Sequence, residues 1–167
     1  CNKKHLPPSM NSISNAGKKK ILIIEDDTNL LLILNHLFSK DYDVSVCNEG
    51  DGAVEMIKRI KPDLIICDLN LPGEDGLSIT HKVKNDETLS HIPILILTSD
   101  NSKDNRTTAF ENYADQYVLK PFEPLELKAR VTSLLVNREK IKQQSFTNNF
   151  LVFSPLRDSY HERTQLL

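Results

Sequence analysis

Short apolar runs alternate with amphipathic segments along most of the chain. Runs that predict buried strands lie at Ile21–Ile24, Tyr42–Cys47, Leu64–Cys67, Ile94–Thr98 and Tyr117–Leu119. Helical spacing predicts helices at Thr28–Phe38, Ala53–Ile60, Gly76–Lys84, Lys103–Asn112 and Glu123–Val136, of which the fourth is polar. Strict alternation of five strands and five helices predicts an α/β fold, in which helices cover both faces of a parallel sheet.

The two ends of the chain differ in character from this alternating part. Residues 1–18 are rich in Pro, Ser, Asn and Lys, which is typical of a flexible linker. We expect a single domain at 19–139, because 167 residues with 39% hydrophobic content can bury one core. Residues 140–167 are too few for a second domain and are interpreted as a linker or tail. Since the chain also lacks an initiator Met, we expect it to be an internal piece of a longer protein.

Composition narrows the classes of protein further. A formal net charge of −2 argues neither for nor against nucleic acid, but no helix-turn-helix is recognisable, so direct DNA binding is not expected. No apolar run approaches the roughly 20 residues of a membrane helix. We therefore expect no membrane contact by this chain and a cytoplasmic location, either in a free protein or in the cytoplasmic part of a membrane-anchored sensor protein. Cys1, Cys47 and Cys67 form no CxxC pair, and Cys47 and Cys67, which both end apolar runs, are interpreted as buried reduced thiols rather than a disulfide or metal site.

Polar residues stand at the predicted carboxyl ends of four of the five strands. Glu25 and Asp26 follow the first strand, Asp68 follows the third, Thr98 ends the fourth and Lys120 follows the fifth. Each has a simple local explanation, such as a helix cap or a turn. In open parallel α/β sheets, however, these strand ends meet at the edge where sites form. The five residues are therefore expected to converge.

The chemistry of such a cluster follows from its charge. Three carboxylates repel one another, and a divalent cation bound by hard oxygen ligands relieves the repulsion, which favours Mg²⁺ with Mn²⁺ as the alternative ion. Asp68 is the best candidate nucleophile for attack on phosphorus, because its strand is predicted between the acid pair and Lys120. Lys120 suits a point-charge contact with a phosphoryl group, and Thr98 can supply a hydroxyl.

Four ordered segments carry a resemblance to a known family. "ILIIEDD", "PDLIICDLNLPGEDG", "HIPILILTSD" and "YVLKPF" are similar to the motifs of response-regulator receiver domains, the phosphoacceptors of bacterial two-component signalling. The resemblance extends over about residues 19–137. It implies a flavodoxin-like (βα)5 three-layer sandwich, with a parallel five-stranded sheet in the order 2-1-3-4-5.

The resemblance also implies roles for individual residues. Glu25, Asp26, Asp68 and the backbone carbonyl of Asn70 would hold Mg²⁺. Asp68 would accept phosphate from a histidine kinase or a phosphotransfer domain, in a phosphorelay in which the receiver catalyses only its own phosphorylation and dephosphorylation. Thr98 and Lys120 would contact the phosphoryl group, and the Lys120-Pro121 peptide would be cis. No cofactor other than the metal is implied.

Switching is implied by the same resemblance. Thr98 would move toward the phosphoryl group, Tyr117 would rotate inward, and the face built from the fourth helix, fifth strand and fifth helix would change shape. That face is also where a homodimer would form. Tyr113-Ala114 replaces the family's usual Gly-Ala pair. The polar segment Lys103–Asn112 is predicted to pack loosely, and Asn70 with Asp100 suggests slow dephosphorylation.

Other classes of protein fit the sequence less well. A dehalogenase-like phosphatase needs an acid where Asn70 stands, and an FMN site would be repelled by Glu25–Asp27. A phosphorylation-independent interaction module, or pseudo-receiver, is the serious alternative, although such domains usually lose an acid or the Lys. The segments around residues 81–98 and 125–140 resemble receivers of hybrid sensor kinases, and a stand-alone or truncated response regulator is the alternative parent. His81 falls inside a predicted receiver helix and is interpreted as a surface residue.

Overall fold

The sheet has five parallel strands. The computed structural model describes residues 17–99 and 114–152, with side chains described through residue 145. Within these residues the strands are β1 Lys20–Ile24, β2 Asp43–Cys47, β3 Leu64–Asp68, β4 Ile94–Thr98 and β5 Gln116–Leu119. Neighbouring strands pair in parallel in the order β2-β1-β3-β4-β5, which confirms the predicted topology.

Helices cover both faces of this sheet and complete three layers. The described residues contain α1 Thr28–Ser39, α2 Ala53–Ile60, α3 Gly76–Asn85 and α4 Pro124–Val152. The predicted polar helix at Lys103–Asn112, and the loose packing expected of it, lie outside the described residues. Among the described helices, none is both long enough and apolar enough to cross a bilayer.

The apolar runs are buried because each strand faces helices on both sides. Successive residues of β1 point to opposite faces: Leu22 and Ile24 pack with α2 and α3, whereas Ile21 and Ile23 pack with α1 and α4. All four are fully buried. A continuous apolar run, rather than alternation, is what a doubly covered parallel strand requires. The polar residues that follow these strands are thereby held at one edge of a rigid sheet.

The last helix is longer than predicted. The expected end at Val136 was wrong, because α4 continues to Val152. The segment 137–152 contains no Pro or Gly, so nothing in it stops a helix after the apolar stripe fades. Arg138 anchors this part by donating from Nη1 to the backbone O and to Oδ1 of Asp63, the latter at 3.1 Å. Glu139 is ion-paired with Lys19, just before β1.

Candidate active site

Three carboxylates meet at the carboxyl edge of the sheet. Glu25 follows β1 and is held by its backbone N–H, which donates to the carbonyl of Cys47 at 3.0 Å. Asp68 ends β3, the strand next to β1. One carboxylate oxygen each from Glu25, Asp26 and Asp68 lies within 4.8 Å of the other two. Glu25 and Asp68 are buried and Asp26 is exposed, so the cluster opens to solvent on one side.

Lys120 brings an ammonium group into this cluster. Its Nζ donates to Glu25 Oε2 at 2.8 Å and lies 3.0 Å from Asp68 Oδ2. Its backbone N–H donates to the carbonyl of Thr98 at 2.7 Å, which fixes the chain just beyond β5. The Lys120-Pro121 peptide is cis, as predicted. One cation therefore bridges two of the three acids.

Burial and charge oppose each other at these groups. Burial raises the pKa of Glu25 above its usual value, the hydrogen bond from Lys120 works against that rise, and the neighbouring charge of Asp68 adds to it. Burial alone would lower the pKa of Lys120, but its bonds to Glu25 and Asp68 outweigh burial and raise it. Lys120 therefore stays cationic, whereas the Glu25 carboxyl is harder to ionise than that of a solvent-exposed glutamate.

The side chain of Asp27 lies outside the cluster, although its backbone N–H donates to Glu25 Oε1 at 3.2 Å. Its carboxylate accepts from the backbone N–H groups of Asn29 at 2.8 Å and Leu30 at 3.2 Å, which makes it the N-cap of α1. The sequence ILIIEDD therefore divides its acids between two tasks. Asp27 caps the helix, and Glu25 and Asp26 join Asp68.

Thr98 and Asn70 lie at the same edge of the sheet, whereas Tyr117 lies within β5, opposite Ile96. Thr98 is the last residue of β4 and is 6% exposed, one position beyond the register partner of Asp68. Asn70 is exposed, two residues after Asp68. Tyr117 in β5 is half-buried and packs against the core on the α2 and α3 face. Asp100 and Tyr113 lie outside the described residues. His81 is exposed on α3, in agreement with its interpretation as a surface residue.

Sequence reasoning missed one residue that shapes the site, Gly76. The first turn of α3 passes so close to the end of β3 that a Cβ at position 76 would lie 2.2 Å from the carbonyl oxygen of Asp68. The Gly76 N–H donates to the carbonyl of Leu69 at 2.9 Å, and Asp75 caps the helix through Ser78 N–H. The Asp75-Gly76 pair, a cap followed by the smallest residue, was the available signal.

Comparison with known proteins identifies the class. Residues 21–132 match the family model for the response regulator receiver domain. The chain therefore belongs to the receiver-domain family of two-component signalling.

The relatives include both kinases and DNA-binding regulators. Histidine kinase P4 of Formosa agariphila is 34% identical over 136 residues, which are 81% of this chain and 10% of that protein. The DNA-binding dual master transcriptional regulator RpaA of Synechocystis is 34% identical over 138 residues, which are 82% of this chain and 57% of that protein. The chain thus spans only a tenth to somewhat over half of these relatives.

Solved receiver domains share the fold. The receiver domain of sensor histidine kinase PA1611 from Pseudomonas aeruginosa has a TM-score of 0.65 and 26% identity, covering 71% of this chain and 98% of that one. That structure has a magnesium ion coordinated in its active-site cleft.

Proposed function

We propose that Asp68 accepts a phosphoryl group from a phosphohistidine of a histidine kinase or phosphotransfer domain. The observation that carries the proposal is the ammonium of Lys120, 3.0 Å from the Asp68 carboxylate and bridged to a second, fully buried acid. A carboxylate beside a fixed cation at an open edge is suited to receive a dianionic group. The cation can follow the new charge as it forms.

The residues present fit Mg²⁺, or Mn²⁺ in its place. Glu25, Asp26 and Asp68 offer hard oxygen ligands within 4.8 Å of one another, and exposed Asp26 leaves room for metal-bound waters. The backbone carbonyl of Asn70 is proposed as a further ligand. Burial, and then the charge of Asp68, raise the pKa of Glu25. A bound cation would stabilise the ionised carboxylate and so offset this rise. When bound, the ion would neutralise developing charge on the phosphoryl oxygens.

In the transfer step an oxygen of Asp68 attacks phosphorus in line with the leaving imidazole. The new P–O bond forms while the P–N bond to the donor histidine breaks, and the imidazole keeps that electron pair. Lys120 releases Asp68 and contacts a phosphoryl oxygen, while its bond to Glu25 limits how far the ammonium travels. The hydroxyl of Thr98, at the end of the neighbouring strand, donates to another phosphoryl oxygen.

The proposed output is a change in the face that includes β5 and α4. Thr98 moving toward the phosphoryl group would leave space for Tyr117, which already packs against the adjacent core. The predicted helix at Lys103–Asn112 completes this face. A second copy of the domain or an output domain would bind this face. The receiver would occupy residues 19–139 of a longer cytoplasmic protein, between the segments 1–18 and 140–167.

The test is phosphorylation by a small-molecule donor. The chain is incubated with acetyl phosphate and Mg²⁺, and intact mass is measured before and after acid or base treatment. We expect one labile phosphoryl group on the wild type and none on Asp68→Asn. Asp27→Asn is the matched control, since it removes a neighbouring charge outside the cluster and should leave phosphorylation intact.

The alternative is an interaction module that needs no phosphorylation. Two results together would support that alternative: the wild type gains no phosphoryl group, and its amide NMR spectrum does not change when Mg²⁺ and beryllofluoride are added. A dephosphorylation time course on Asn70→Ala examines the expected slow loss of the group. An unchanged rate would remove Asn70 from that role.

A further inference from the structure

A second cleft lies at the opposite edge of the sheet from Asp68. It has a volume of about 670 Å³ and is formed where α4 passes the loop before β4 and the start of β5. Lys84 and His91 contribute from one side, Gln116 from the sheet, and Arg138 and Lys142 from α4. None of the residues proposed for the phosphoryl site lines this cleft, although both sites use β5, so the two sites lie at opposite ends of the strands.

The cleft carries excess positive charge. Among the described residues that line it, Lys84, Arg138 and Lys142 are cationic at neutral pH, and Asp115 is the one carboxylate. Asp115 Oδ2 accepts from Lys84 Nζ at 2.7 Å and from Ile94 N–H at 2.8 Å, so Asp115 and Lys84 offset each other. Arg138 is paired with Asp63 at 3.1 Å, and Lys142 lies 4.0 Å from Glu139, so Lys142 carries the least compensated charge of the three cations. The cleft therefore favours an anionic occupant.

The positive charge of the cleft also affects the pKa of His91. Burial lowers its pKa, and the charges of Arg138, Lys142 and Lys84 lower it further. A histidine that resists protonation beside three cations is a hydrogen-bonding group available to an anion. Bound negative charge would reverse the effect and favour the protonated ring.

The lining also contains polar atoms whose hydrogen-bonding capacity is unused. Gln116 Oε1 and Arg138 Nε are buried and have no hydrogen-bond partner in the described part of the chain. Both residues line the cleft, so a small side-chain rotation could present either atom to a bound molecule. Beside them, Pro93 and Leu134 form an apolar wall, and Ile141 at the rim is 64% exposed. The cleft thus combines an anion-attracting side with a surface for an apolar body.

We propose that this cleft binds a small phosphorylated molecule of nucleotide size. Phosphate groups would contact Lys142, His91 and Arg138, and a flat apolar body would rest on Leu134 and Ile141. The occupant would join α4 to the loop before β4. It would therefore act on the helix by which the domain connects to whatever follows it.

The experiment measures ADP binding to the full chain by calorimetry and by amide NMR, with EDTA present to keep divalent ions away from Asp68. Adenosine and inorganic phosphate are the partial probes. Lys142→Glu reverses one charge in the cleft. Lys140→Glu makes the same change on the same helix at a residue that does not line it.

We expect saturable ADP binding with a Kd of about 1 mM or lower, weakened about tenfold or more by Lys142→Glu and little changed by Lys140→Glu. Amide signals of Gln116 and Arg138 should shift, whereas those of Asp26 and Asp68 should not. The proposal is overturned by an absence of saturation, by equal weakening in both variants, or by shifts centred on Asp68. Inorganic phosphate binding as tightly as ADP would also overturn it, because the apolar wall would then contribute nothing.

Discussion

Replacing Lys120 by methionine would isolate the electrostatic role of its ammonium. Methionine keeps most of the length and apolar character of the lysine stem but leaves Glu25 and Asp68 without the group that bridges them at 2.8 and 3.0 Å. Glu25 is fully buried and the Lys120 side chain is only 18% exposed. Solvent therefore cannot take over the lost contact with Glu25.

The expected magnitude follows from that burial. Removing one partner of a buried ion pair costs about 3–5 kcal/mol, because the other charge stays buried and unpaired. Since Lys120 and Asp68 retain some exposure, we expect a loss of about 2–4 kcal/mol in the free energy of unfolding near neutral pH. The double variant Glu25→Gln, Lys120→Met should recover at least about 1 kcal/mol of it, because it removes the orphaned charge.

The loss should grow as pH rises. Burial already holds the pKa of Glu25 above the value of 4.5 expected in the unfolded chain, and removing the Lys120 hydrogen bond would raise it further. Well below pH 4.5 the carboxyl is protonated in both states, so its contribution is small. Above that pH the unfolded chain ionises first, which lowers the stability of the folded state until the folded pKa is passed.

Urea unfolding followed by circular dichroism, near pH 4.5 and near neutral pH, measures both effects. Lys128→Met is the matched control, because Lys128 pairs with Asp41 at the exposed surface and its loss should change stability only slightly. Equal losses in the two variants, or a Lys120→Met loss that is the same at both pH values, would refute the reasoning.

Three further predictions concern single positions. Asp27→Ala should lower the free energy of unfolding by about 1 kcal/mol, because it removes the α1 cap, yet leave phosphorylation unchanged. A large loss of phosphorylation would place the Asp27 side chain in the site. Gly76→Ala should lower the free energy of unfolding by about 2 kcal/mol or more and slow phosphorylation, because its Cβ would meet the Asp68 carbonyl. Replacing the exposed Ser78 by Ala should leave both stability and phosphorylation nearly unchanged. His91 should titrate below 6.5 by NMR, and Lys142→Glu should raise that midpoint; an unchanged midpoint would contradict the positive field.

Much of the fold was predictable because burial leaves a direct mark on the sequence. Ile21–Ile24 reads as a doubly covered strand, and all four residues are fully buried. The acids at the ends of β1 and β3 could be placed together by the same logic, since parallel strands end at a common edge. Residues at strand ends therefore carried most of the usable information about the site.

Side-chain partners were harder to predict. Lys120 was expected to contact a phosphoryl group, but its bond to Glu25, 95 residues away in sequence, depends on side-chain directions that no local pattern encodes. The end of α4 was misplaced for a related reason. Apolar periodicity reports burial, and residues 141–145 are helical while fully on the surface. Only the absence of Pro and Gly pointed to their conformation.

The ties at Lys19–Glu139 and Arg138–Asp63 have a consequence for how the domain sits in a longer polypeptide. Lys19 precedes β1 and Glu139 lies on α4, so the two ends of the domain are joined at the edge where the strands begin, opposite the carboxyl ends that hold Asp68. If the domain is part of a longer protein, modules joined to these ends would leave the carboxyl edge open to a phosphodonor.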